Sequence, residues 1–283
     1  MSWTIRSVVS WATGFLRDKG IEPARLEAEL LLAHAIKARR IDLYLDFDRP
    51  LVPDELSLYK SLLLRRARKE PIAYILGEKE FYGRAFRVNP DVLIPRPETE
   101  LLVDSAIELA PHGGTFFEIG VGSGAVIISI LAHRKDLVGF GNDIRKQAVI
   151  QARTNGNTHG VSPRMHLYAG NSLKGLRARF PLIISNPPYV QRTMAGTLED
   201  DGVLYEPREA IFGGKDGLDV IKSILDIAGD HLIGGGVLIL EVGFDQKDAV
   251  ECLVDSRETL AILEWKKDLS GICRTVLIER AYG

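Results

Sequence analysis

The residues of this chain best suited to chemistry are Asn186-Pro187-Pro188-Tyr189. They follow Leu182-Ile183-Ile184-Ser185, a short apolar run that reads as a strand. Two consecutive prolines donate no N–H, fix their own torsions and bias the residue before each toward extended geometry, so the loop is expected to be stiff and rich in acceptors. A planar amide or amino nitrogen has its lone pair delocalised into the adjoining π system and carries two N–H bonds. The Asn186 side-chain oxygen and the Pro187 carbonyl could accept one each, holding the nitrogen and favouring the charge that develops on it as a methyl group arrives. Tyr189 could stack on the planar group. Taken alone, the same residues also suit a Pro-Pro turn with a packed tyrosine.

A second stretch gives the loop a partner. Glu118-Ile119-Gly120-Val121-Gly122-Ser123-Gly124 follows a predicted strand and leads into a predicted helix. This is the place where open parallel sheets bind ligands. A phosphate-gripping loop would need Gly-Lys-Ser/Thr after the turn, and Gly124 is followed by Ala125 and Val126. A dinucleotide fingerprint survives with Ala125 in place of its third glycine, and the other reading is a site for the methionine half of S-adenosylmethionine. Asp143, 19 residues after Gly124, ends the next predicted strand. A carboxylate there could accept hydrogen bonds from both ribose hydroxyls of either nucleoside cofactor, or cap the helix that follows. Glu118, an acid closing an apolar strand, is expected in the pocket because burial without a partner would be costly. The combination of glycine loop, acid and Asn186 loop points to methyl transfer from S-adenosylmethionine, whose sulfonium methyl needs no metal.

These loops need a sheet to hold them. After Gly114, strands and helices alternate: strands over 115–119, 137–141, 164–168, 182–185, 237–242, 260–265 and 275–278, with helices after the first two. Such alternation implies an α/β doubly wound, mostly parallel sheet covered on both faces. The first third reads instead as helices. Ile5, Val8, Val9, Ala12, Phe15 and Leu16 recur at helical spacing up to Gly20, a second helix begins at Pro23, and a third spans about 54–68. The cations Arg65, Arg66, Arg68 and Lys69 at its end suit the helix dipole, or form a binding patch. Phe81 to Val88 suggests a hairpin around Gly83, and an amphipathic helix starts near Pro97. The expected organisation is a helical domain over 1–76, a hairpin linker over 77–94 and a catalytic domain over 95–283.

At 283 residues two domains are the natural count, and 46% hydrophobic with 26% charged residues is the balance of a soluble globular protein. No apolar run approaches a membrane span and the first residues lack the order of a signal peptide, so a cytoplasmic protein is expected. Cys252 and Cys273 lie in no metal-ligand or disulfide pattern. A net charge of −2, with 20 basic against 25 acidic residues after Pro95, argues against a protein that wraps nucleic acid.

Further stretches narrow the reading. Pro71-Ile72-Ala73-Tyr74-Ile75-Leu76-Gly77, Glu80-Phe81-Tyr82-Gly83, Ile94-Pro95-Arg96-Pro97-Glu98-Thr99-Glu100, Tyr205-Glu206-Pro207 and Gly213-Gly214-Lys215-Asp216-Gly217-Leu218, with the two loops above, closely resemble the peptide chain release factor glutamine methyltransferases, the PrmC/HemK family. The resemblance covers roughly residues 70–280. It implies a class I methyltransferase: a Rossmann-like seven-stranded sheet with a smaller N-terminal helical domain that helps grip the substrate. That substrate would be a class 1 release factor, methylated on the side-chain amide of the glutamine in its Gly-Gly-Gln motif, with S-adenosylhomocysteine as product and no membrane or stable nucleic-acid partner. Carried over by position, Gly120, Val121, Gly122, Ser123 and Gly124 would hold the methionine part of the cofactor, Asp143 its ribose, and Asn171 or Ser172 its adenine. Asn186 would contact both cofactor and acceptor, and Pro187, Pro188 and Tyr189 would complete the substrate pocket. The chain departs from the family pattern at Glu118, Asn171 and Pro181, where the family commonly has Asp. Enzymes that methylate adenine or guanine amino groups share the Asn-Pro-Pro-Tyr loop and supply the competing reading, which requires a base-flipping pocket and a basic track. A cofactor-binding protein without turnover is a third, opposed by the intact acceptor loop.

Overall fold

The computed structural model describes residues 3–171, 173, 177–197 and 202–282. The chain forms two compact units, Met1–Gly77 with Leu198–Tyr205, and Glu78–Thr197 with Glu206–Gly283.

The smaller unit is helical: α1 (Ile5–Asp18), α2 (Ala24–Ala35), α3 (Arg40–Leu45), α4 (Pro53–Ala67) and α5 (Ile72–Leu76). Thr4 starts α1 with a capping box against Ser7, and the face predicted from spacing, Ile5, Val8, Val9, Ala12 and Leu16, is buried. It packs with Leu31 and Leu32 of α2 and Tyr59, Leu62 and Leu63 of α4 in one core. Glu29, 1% exposed, is held by Arg25, Arg40 and the Tyr44 hydroxyl, which ties α3 to α2. Most of the basic run ending α4 is engaged within the unit: Arg65 pairs with Glu70, Arg66 with Glu27, and Lys69 donates to the Gly20 carbonyl. The reading as a helix-end feature therefore fits better than that of an open binding patch.

The larger unit opens with the hairpin of β1 (Glu78–Phe81) and β2 (Arg84–Arg87). The hairpin is part of this unit's core: Phe81 and Phe86 are buried in it, and Asn155 holds both the N–H and the carbonyl of Arg87. After α6 (Glu100–Leu109) come β3 (Thr115–Ile119), α7 (Ala125–His133), β4 (Val138–Asp143), α8 (Lys146–Thr158), β5 (Met165–Ala169) and β6 (Phe180–Ser185). Then follow α9 (Arg208–Ile211), α10 (Asp219–His231), β7 (Leu232–Glu241), α11 (Lys247–Asp255), β8 (Leu260–Lys267) and β9 (Cys273–Arg280). The seven-stranded sheet has the order β5-β4-β3-β6-β7-β9-β8, parallel from β5 through β7 and antiparallel at β9 and β8. All seven expected strands are present, and the fold is an α/β class I methyltransferase fold.

Burial on both faces explains the nearly uninterrupted apolar strands. Leu102 and Val103 of α6, Ile127 and Ile130 of α7, and Val149 and Ala152 of α8 cover one face. Ile221, Ile224 and Leu225 of α10 with Val250 and Val254 of α11 cover the other. The strand order reverses at β3, which pairs with β4 on one side and β6 on the other. The loops leaving the carboxyl ends of these three strands meet at that switch point, where open α/β sheets bind ligands.

Candidate active site

A cavity of about 220 Å³ lies at the switch point. Its lining includes Gly120 and Gly122 after β3, Asp143 at the end of β4, Asn171 after β5, and Asn186, Pro187 and Pro188 after β6. The two ends of the chemistry, glycine loop and acceptor loop, therefore face one space. A Cβ built on Gly120 or Gly122 meets nothing within 4 Å, so the loop's backbone faces room for a ligand. Val121 turns inward into the core, and Ser123 is buried with its carbonyl accepting from Asn155. Gly124 is packed closely against Ile128 and Ala152. These three shape the loop; they do not line the cavity.

Asp143 has two jobs. Its Oδ2 accepts the Gly122 N–H at 2.9 Å and its Oδ1 accepts the Arg145 N–H at 2.9 Å, just before α8. Arg145, not Asp143, holds the N-cap position of α8, and Asp143 lines the cavity, where each carboxylate oxygen keeps a lone pair for a further donor. Burial raises its pKa, and the two backbone donors oppose that shift. Glu118 finds its partner elsewhere than expected: 3% exposed, it accepts the Ile127 N–H at 2.9 Å, one of the free donors at the start of α7. Burial holds its pKa well above the usual carboxylate range.

The acceptor loop is fixed from several sides. Asn186 Nδ2 donates to Thr99 Oγ1 at 3.0 Å. The Tyr189 carbonyl accepts from Gln246 Nε2 at 3.1 Å, and the same amide nitrogen reaches the Gly217 carbonyl at 3.2 Å while Oε1 accepts the Gly243 N–H at 2.9 Å. Gln246 thus stitches together the acceptor loop, the 213–218 loop and the end of β7. The glycines of the 213–218 stretch are explained by this approach. A Cβ on Gly213 would stand 2.4 Å from the Pro188 carbonyl, and one on Gly217, at φ +76°, 2.3 Å from the Tyr189 carbonyl. Tyr189 is half-buried beside the cavity, outside its lining, and its hydroxyl pKa is pushed up to about 12 by burial and the nearby Glu241. Ser172 lies outside the described residues; Asn171 is exposed at the cavity edge.

Three residues of this site escaped sequence reasoning: Thr99, Gln246 and Glu241. The motifs around Ile94 and Glu206 also prove to be one feature. The Glu206 carboxylate accepts the Ile94 N–H at 2.9 Å and pairs with Arg96.

Comparison with known proteins identifies the lineage. Residues 7–77 match the PrmC N-terminal domain and residues 97–199 the methyltransferase small domain. The release factor glutamine methyltransferase of Geobacter sulfurreducens is 42% identical over 97% of this chain and 96% of its own length. The chain belongs to the release factor glutamine methyltransferase family. The enzyme of the same name from Caulobacter vibrioides is 35% identical, covering 97% of this chain and 96% of its own. Among solved structures, a methyltransferase from Pyrococcus furiosus superposes with a TM-score of 0.54 at 20% identity, over 80% of this chain and all of that one. The hMettl16 catalytic domain gives 0.59 at 14% identity, over 78% and 82%. These two likenesses concern the fold. Family membership makes the chain an enzyme, a methyltransferase, and gives the switch-point cavity its role as the candidate active site.

Proposed function

We propose that this enzyme transfers a methyl group from S-adenosylmethionine to the side-chain amide nitrogen of the glutamine in the Gly-Gly-Gln motif of class 1 release factors, in the cytoplasm. The observation that carries the reading is that the glycine loop, Asp143 and the Asn186–Pro188 backbone line one cavity at the switch point of a chain related along nearly its whole length to release factor glutamine methyltransferases. Gly120 and Gly122 would admit the methionine part, Asp143 would accept from the ribose, and Asn171 is the described candidate for adenine. When bound, the cofactor supplies an electrophilic methyl on a sulfonium centre.

The protein's contribution is orientation and electrostatics. The Asn186 Oδ1 and the Pro187 carbonyl accept the two N–H bonds of the substrate amide, which aligns its nitrogen with the methyl donor. As the new N–C bond forms and the methyl–sulfur bond breaks, positive charge grows on that nitrogen, which then loses one of its two protons to leave the neutral methylated amide. Two fixed oxygen dipoles stabilise the growing charge more than they stabilise the neutral amide, and that difference is what accelerates a reaction. Pro188 completes the wall, and Tyr189 backs the loop from beside the cavity. Pro187 and Pro188 have no N–H to compete for the amide's own carbonyl, so the backbone at these two positions presents acceptors alone.

The test is to offer methyl-labelled cofactor together with a release factor, or with bulk DNA and RNA. Label should appear on the release factor and map to the Gly-Gly-Gln glutamine. Label on nucleic acid, with none on the release factor, would refute the proposal.

A further inference from the structure

We propose that Thr99 and Glu241 form a polar relay that decides which end of the Asn186 amide faces the acceptor. The inference rests on the function proposed above and adds two positioning residues to it. An Asn amide carries an acceptor at one end and a donor at the other, and only the acceptor end can receive an N–H from the substrate. A half-turn of the side chain would present Nδ2 instead and repel the group it must hold. Something must therefore break the symmetry of the side chain.

Thr99 and Glu241 can do so. Thr99, 4% exposed, precedes α6 and its hydroxyl lies beside the Glu241 carboxylate at the end of β7, toward which its proton can point. Its Oγ1 also stands 3.0 Å from Asn186 Nδ2. A hydroxyl has one proton. When that proton goes to the Glu241 carboxylate, the lone pairs left toward Asn186 can only accept, so Nδ2 must turn to Thr99 and Oδ1 to the opposite end of the amide, the end needed for the substrate. Glu241 is 1% exposed and its Oε2 has no hydrogen-bond partner among the described residues. A buried carboxylate so poorly supplied with donors is costly as a structural element. The relay gives it a use.

The relay also has a direction that protonation would reverse. A neutral Glu241 carries a proton it can give to Thr99, which frees the threonine proton to point at Asn186 and favours the wrong end of the amide. Burial and the Glu98 carboxylate raise the Glu241 pKa to about 7, opposed by the Thr99 hydroxyl and by Arg274 and Arg96. The half-buried Tyr189 hydroxyl, itself held neutral, completes the ionisable groups around it. Arg96 and Arg274 are engaged with Glu206 and Asp268, so neither fully neutralises Glu241.

The experiment compares the full-length parent with Thr99→Ser, Thr99→Val and Glu241→Gln, using S-adenosylmethionine and a release factor. Thr99→Val should lower kcat about tenfold or more with KM for the cofactor little changed, while Thr99→Ser, which keeps the hydroxyl, should stay within about threefold of the parent. The parent's kcat should rise with pH through a midpoint of about 7, and Glu241→Gln should lose that limb. A valine variant as active as the parent, or an acid limb that persists in Glu241→Gln, would overturn the relay. A second readout needs no turnover. The Asn186 side-chain NH2 resonances should show slowed proton exchange in the parent at high pH, lost in Thr99→Val and as pH falls through the same midpoint. Exchange indifferent to both changes would also overturn it. Absence of transfer to the release factor by the parent itself would refute the proposed function instead, leaving the resonance test to judge the relay.

Discussion

Replacing Gln246 by alanine tests whether the acceptor loop depends on the stitch that holds it. The side chain is 6% exposed and makes three hydrogen bonds to backbone: Oε1 to Gly243 N–H, and Nε2 to the carbonyls of Tyr189 and Gly217. At about 1 kcal/mol net for each buried hydrogen bond, the loss is about 3 kcal/mol, with ordered water able to recover part of it. Urea unfolding of parent and variant measures that term. The functional consequence is separate. The Tyr189 carbonyl is three residues from Asn186, so a loosened loop should lower kcat at least tenfold while cofactor affinity, assigned in the proposed function to Gly120, Gly122 and Asp143, changes little. Gln246→Glu sharpens the argument. It keeps the acceptor for Gly243 but sets a carboxylate against two carbonyls, so it should be less stable than Gln246→Ala near neutral pH and recover as pH falls. An alanine variant within about 0.5 kcal/mol of the parent, or one destabilised yet fully active, would refute the reasoning.

Glu241 makes a prediction about stability. Its folded pKa is raised to about 7 from an ordinary 4.5, so its favourable contribution is complete below the ordinary value and disappears as pH rises through the folded one. Between about pH 5 and pH 9, Glu241→Gln should gain roughly 2 to 3 kcal/mol on the parent, read as the pH dependence of the difference between their unfolding curves; a difference independent of pH would sink the assignment. Asn186→Ala should bind the cofactor nearly as the parent does and lose turnover by about 100-fold or more, and equal activity would remove Asn186 from the mechanism. Asp143→Ala should weaken cofactor binding by calorimetry, with an unchanged dissociation constant counting against its role.

The sheet was legible because its strands are apolar on both faces and are punctuated by glycine, proline and polar loops. β6 and β3 could hardly be read otherwise. β7 begins at Leu232, five residues before the expected start, because Gly234, Gly235 and Gly236 look like a break yet lie within the strand. α3 and α5, six and five residues long, are too short to show a periodicity. Glycine loop, Asp143 and Asn186 could be found because each sits at a predicted strand end, and topology brings strand ends together. Thr99, Gln246 and Glu241 could not: the first looks like an ordinary helix-start residue, the others like loop and strand-end residues, and their meaning comes from partners 87, 57 and 142 residues away. Glu118 shows the opposite failure. Its expected need for a partner was sound, and the partner is the Ile127 N–H at the start of α7.

The double engagement of Asp143 bears on how cofactor binding is coupled to folding. Because Gly122 and Arg145 already hold its carboxylate, the glycine loop takes its shape when the sheet forms, without waiting for a nucleoside. The entropy of ordering that loop falls within the folding of the larger unit and does not diminish affinity. The cofactor then acts as a ligand of the native state as a whole. Bound as proposed, it would raise the stability of the whole unit with the logarithm of its concentration, so that methyl donor supply enters the enzyme's folding equilibrium.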